Sequence, residues 1–218
     1  MKKLIFALLL LPCFAQAAVI LDLDEKFSGD APKGSEPWIS AELTQQGANS
    51  ILLTLTSGLV NKEFMSLFSL NLAPLLNPDL LSLSWVSGVK ADDWDTGANL
   101  FKMDGDGYYD LLLSFDTSNK KGSDRFGAGD TSQYLISGIS GLSPLDFLYV
   151  DNGGKKGDFY AAAHIQGIGR KADDSGWIGA DDYEKTSSVP EPSTIFLLGA
   201  ALLGLSMTYN RGGVRQAV

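Results

Sequence analysis

The residues best suited to do chemistry lie in Asp104-Gly105-Asp106-Gly107-Tyr108-Tyr109-Asp110. Carboxylates alternating with glycine suit a calcium ion, which takes several oxygen ligands and needs the chain to bend sharply around it. With Asp104, Asp106 and Asp110 as the metal ligands, the first position of such a loop falls on Lys102 and the last on Leu113, and neither offers a carboxylate. The competing expectation, and the stronger one, is a β-hairpin whose Asp-Gly turns supply positive φ angles and join residues 99–103 to 108–115. A second acidic group, Asp92, Asp93 and Asp95, brackets Trp94. Such a charge run reads as a solvated loop. Trp94 within it is the candidate ligand-binding residue, an exposed ring with hydrogen-bonding neighbours.

Other chemistry finds little support. His164 is the single histidine and Cys13 the single cysteine. A Ser-His-Asp triad or a histidine zinc site would need His164, yet it sits in an alanine-rich strand pattern, AAAHIQ, and reads as a satisfied strand histidine. No Gly-x-Ser-x-Gly elbow, phosphate loop or dinucleotide fingerprint is present. Acids are numerous enough that some carboxylate pair at glycosidase spacing is inevitable, so their number does not point to a hydrolase. The expectation is a non-enzyme with no catalytic residues and no cofactor, calcium excepted. Trp38, Trp85, Trp94 and Trp177 could instead stack on sugar rings. Trp38 and Trp85 alternate with polar residues and are expected in the core.

The elements that must position these residues are strands. Between residues 18 and 180 the apolar period is mostly two, punctuated by Gly, Ser, Asn and Asp. Strands are expected at 38–43, 50–56, 63–72, 80–86, 108–115, 133–136, 146–150 and 160–166, with a short helix as an alternative around 143–147. Short strands separated by turns predict an all-β fold, an antiparallel β-sandwich of jelly-roll-like type. Residues 181–188 read as a polar linker, and Trp177 as closing the last strand.

The two ends carry addresses. Lys2 and Lys3, the apolar run 4–11 and Ala15-Gln16-Ala17 have the order of a secretory signal peptide, residues 1–17, cut by signal peptidase between Ala17 and Ala18. Removal of Cys13 with that peptide would leave the exported chain without thiol chemistry. Residues 18–189 contain 25 acidic and 13 basic residues, a net charge of about −12. That field repels phosphate backbones, so nucleic acid is excluded as a partner. At the other end, Pro190-Glu191-Pro192 precedes the apolar run 195–209, and Arg211 and Arg215 follow. The uncharged run 192–210 would rise about 28 Å as a helix, close to the hydrocarbon thickness of about 30 Å. A single transmembrane helix is therefore expected, with the basic end cytoplasmic and residues 18–189 outside the inner membrane.

The Pro190-Glu191-Pro192 motif, the single apolar span and the basic tail resemble the PEP-CTERM sorting signal of exported proteins in Gram-negative bacteria. Here the arginines of the tail are spread out and not clustered. The resemblance implies an exosortase as partner, transient anchoring in the inner membrane, then placement at the cell surface or outside the cell. It further implies a role in the cell envelope, exopolysaccharide or biofilm, with extracellular polysaccharide as a possible partner. Three stretches, 38–43, 68–74 and 162–169, are also similar to ectodomains carrying this signal, which are commonly small β-sandwiches. The expected organisation is a signal peptide (1–17), a β-sandwich ectodomain (18–180), a linker (181–188) and a sorting signal (189–218).

Overall fold

The computed structural model describes residues 16–104, 106–118, 124–150 and 155–188. The expectations for residues 1–15, for Gly105 and for the segment 189–218, with its motif and apolar span, lie outside the described residues. Residues 17–186 form one compact unit.

The unit is built from two antiparallel sheets. The first has the order β13 (Glu184–Ser188), β1 (Gln16–Leu23), β3 (Ile39–Gln45), β4 (Ile51–Ser57), β10 (Thr131–Ser137), β6 (Ser82–Gly88). In the second the order is β2 (Glu25–Gly29), β12 (Asp174–Ala180), β11 (Ala161–Ile168), β5 (Phe64–Leu70), β8 (Tyr108–Ser114), β7 (Asp93–Lys102), and β9 (Phe126–Gly127) extends β5's pairing beyond the end of β8. The chain changes sheets between most successive strands. The hairpins β3–β4, β7–β8 and β11–β12 remain within one sheet.

The period of two explains the core. Ile51, Leu53 and Leu55 of β4 are fully buried while Leu52 and Thr54 between them are only partly covered. Across the interior, Phe68 and Leu70 of β5 and Ile165 of β11 join them in one apolar cluster. Each such side chain contributes roughly 1.5–3 kcal/mol on burial. In β11 the alanine run has its own cause. Ala161 and Ala163 face the core, and Ala162 faces the other way into a second cluster with Met103 and Tyr109. Both faces of that strand are covered, which leaves room for small side chains only. Phe27, Phe101, Leu112 and Trp177 extend the second cluster over the outer face of the sheet. Phe159 completes it, stacking on Phe27 with ring centroids 5.0 Å apart. It lies over Gly179, where a Cβ would come within 2.5 Å of the ring.

Several expectations are corrected. Residues 146–150 do not form a strand. A 3₁₀ turn occupies Pro144–Phe147, where the alternative reading put a short helix; Asp146 accepts the Ser143 N–H at 2.8 Å, and Phe147 is buried as its anchor. The acidic stretch around Trp94 is not a loop but the start of β7. As the terminal strand of its sheet it is mostly exposed, and its polar composition is that of an edge. Part of the polar segment 181–188, expected as a linker, is β13, which lies next to β1. The expected strands also lack β1, β2, β9 and β12, and Trp177, expected to close the last strand, lies in β12, a strand of its own paired with β11.

Candidate functional site

The hairpin β7–β8 brings the acidic loop into place, with Phe101 opposite Tyr109 and Lys102 opposite Tyr108. A turn closes it: the Asp106 N–H donates to the Met103 carbonyl at 2.8 Å, and Asp104 itself takes the positive φ of 40°. The three carboxylates go to three different places. Asp104 forms an ion pair with Lys156 at 2.9 Å on the surface. Hydrogen bonds from the Ser28 and Lys156 side chains hold its carboxyl below the usual range. Asp106 is fully buried and accepts the Tyr109 hydroxyl at 3.0 Å. Asp110, also buried, accepts the Leu72 N–H at 2.9 Å on one oxygen and the Asn99 N–H at 2.7 Å on the other. Among the described residues, no group of three or more His, Cys, Asp or Glu side chains is arranged to hold a metal ion. The loop is the hairpin, and Asp110 is a strut within it. Its pull on Asn99, which has a φ of 50°, stabilises the irregularity between Thr96 and Phe101 of β7.

Trp94 is 38% exposed, at a register position opposite the buried Leu113, so its ring belongs to the inner face of the sheet and projects past the edge. The flanking carboxylates turn back on the chain. Asp93 accepts the Trp94 N–H at 2.9 Å and Asp95 the Thr96 N–H at 2.8 Å. Trp38 is in the core, as expected. Trp85, expected there too, is 46% exposed, because among the described residues β6 ends its sheet and no strand covers the ring's outer flank.

His164 lies at the centre of the outer face of the second sheet. Trp177, its cross-strand neighbour, stacks on it with centroids 4.6 Å apart and an angle of 26° between the rings. Ser66 Oγ lies 2.9 Å from its Nδ1. Burial pushes the imidazole below its ordinary pKa, and the negative charge of Asp104 opposes this. Ser66 is itself buried, and among the described residues no carboxylate hydrogen-bonds to the ring. The arrangement is a satisfied strand histidine. Beside it opens a cleft of about 890 Å³ with Phe64, His164 and Gln166 on its floor and Asn61, Arg125 and Lys171 among its walls. Arg125 lies over the Phe64 ring, 4.0 Å from the centroid. Gly167 closes one side with a φ of 75°, and a Cβ there would come within 2.3 Å of the Lys62 carbonyl. No pattern in the sequence marks Ser66, Arg125 or the His164–Trp177 stack. A histidine and a tryptophan in strands of unknown register carry no signal that they face each other.

Beyond β13 the chain runs into Pro190-Glu191-Pro192, and residues 188–211 match the PEP-CTERM protein-sorting motif. The chain carries a PEP-CTERM sorting signal. The match takes in the proline motif, the apolar run 195–209 and Arg211. A PEP-CTERM signal implies an exported protein that an exosortase recognises, and anchoring in the membrane before processing. Among the described residues no helix is long and apolar enough to cross a membrane, and the run 195–209 lies outside them. No curated protein and no solved structure matches the chain.

Proposed function

We propose that this PEP-CTERM protein is a non-enzymatic constituent of the cell surface or extracellular matrix, released there by exosortase and acting in the envelope, exopolysaccharide or biofilm. The match at residues 188–211 carries the reading. Two prolines flanking Glu191 are residues that disfavour helix, which suits recognition of the motif as a linear sequence. The all-β unit of residues 17–186 is consistent with a passenger built for structure, its buried carboxylates and its histidine being bound to neighbouring groups. Replacing Pro190, Glu191 and Pro192 by alanine is expected to leave the protein in the inner-membrane fraction. An unchanged share of processed protein in the medium would overturn the reading.

A second reading is a carbohydrate-binding module. The exposed ring of Trp94 and the polar cleft beside His164 favour it, since sugars need an aromatic face and amide or hydroxyl partners. A glycan-array screen separates the two, because only the module retains a defined oligosaccharide.

A further inference from the structure

Each sheet of a sandwich ends in two strands whose outer N–H and C=O groups lack a partner, and proteins guard such edges with charge, bulges or short length. Among the described residues the four edges are β13, β6, β2 and β7. β13 carries Glu184 and Lys185 and is five residues long; β2 carries Glu25 and Lys26 at the same length. β7 is longer, but Asp93, Asp95 and Lys102 lie along it and its register is broken between Thr96 and Phe101. β6 differs from all three. It has seven residues, Ser-Leu-Ser-Trp-Val-Ser-Gly, with no charge. No charged residue occurs between Asp79 and Lys90. Trp85 is 46% exposed and Val86 50%. A bulge at Val86, which has no partner on β10, is its one guard, and it leaves the stretch from Ser82 to Trp85 in regular register. The neighbouring strands β10 and β4 are uncharged as well.

We propose that β6 is a self-association edge, pairing antiparallel with β6 of a second copy of this chain. The electrostatics select which strip two copies could share. The chain has a net charge of −9, so two copies repel wherever their acidic surfaces approach, and an uncharged strip is where contact costs least. The geometry agrees. A two-fold axis makes a strand its own complement. For the inner faces to remain continuous across the pair, the register must place residues of equal facing opposite each other. With the axis at Ser84, Trp85 comes opposite Leu83 of the second copy, and both are inner-face positions, opposite Tyr134 and Ile136 of β10 respectively. That covers the bare flank of Trp85. The six-stranded sheets of the two copies would then join into one.

The test uses the full chain expressed in cells, with Cys13→Ala to remove its only native thiol. Ser84→Cys in that background is expected to give a disulfide-linked dimer under mild oxidation, because residues directly opposite in an antiparallel pair bring their Cβ atoms within reach. Thr186→Cys, on the charged edge β13, is expected not to. By sedimentation in detergent, Ser84→Lys is expected to weaken the dimer at least about tenfold, since it sets two like charges against each other at the axis. The proposal is overturned if Ser84→Cys gives no more dimer than Thr186→Cys, or if a dimer persists undiminished in Ser84→Lys.

Discussion

Two acidic stretches look alike as sequence, residues 92–95 and residues 104–110, each with three aspartates near aromatic rings. In the folded chain they do opposite things. In the first, the Asp93 and Asp95 carboxylates are exposed, and each accepts the backbone N–H of the next residue. In the second, Asp106 and Asp110 are buried, and Asp110 joins three segments by accepting amides from Leu72 and Asn99 while belonging to β8. A carboxylate accepting the buried Leu72 amide is costly to remove, because that donor, left behind, has no water to turn to. Spacing does not separate a metal ligand from a strut or a surface charge. The surroundings do, and they come from strands far away in sequence.

The contrast can be broken by substitution. Asp110→Ala is expected to destabilise the unit by about 2 kcal/mol, since it strands the buried Leu72 N–H and releases that of the exposed Asn99, and denaturant unfolding measures it. Asp93→Ala and Asp95→Ala in the same assay are expected to stay within about 0.5 kcal/mol. Equal losses at all three sites would abolish the distinction between strut and surface charge.

A smaller effect concerns His164, half-buried on the outer face. Its pKa is lowered in the fold, so the unfolded chain binds more protons as the pH falls through and below the ordinary histidine value, and folding stability declines there. Thermal unfolding from pH 7.5 down to pH 5 should show that decline, and His164→Gln should remove its histidine part. A profile identical in the two proteins would mean that the ring is not desolvated by Trp177 and Ser66.

The smallest effect is the one expected of chelation. A metal bound only by the folded state would raise its stability. With the Asp104, Asp106 and Asp110 carboxylates bound to Lys156, Tyr109 and two backbone amides, a chelator should leave the unfolding midpoint where it is. A drop in the midpoint would return the loop to the calcium reading.

Much of the fold was legible because period two is a local signal. The strands β4, β5, β8, β10 and β11 lie where the alternation predicts, and the Asp-Gly hairpin joins the residues expected of it. β1 goes unmarked although Val19, Leu21 and Leu23 alternate into the core, because it adjoins the segment expected as a signal peptide; the other missed strands carry a weaker local pattern. β7 and β13 are polar or acidic strands at sheet edges, held by the hydrogen bonds a neighbour offers, and in β12 glycines interrupt the alternation although Ile178 and Ala180 reach the core. Trp85 alternates like a core residue and would be one if another strand lay beyond β6.

The sorting signal and the sandwich stand at opposite ends of this scale. The sorting signal is matched as a linear sequence, so Pro190, Glu191, Pro192 and the apolar run after them carry their meaning in their order along the chain. The sandwich assigns roles by adjacency: His164 against Trp177, Asp110 against Asn99, an uncharged β6 at the rim of its sheet. Those relations depend on register and strand order, which long-range hydrogen bonding establishes and no local pattern records.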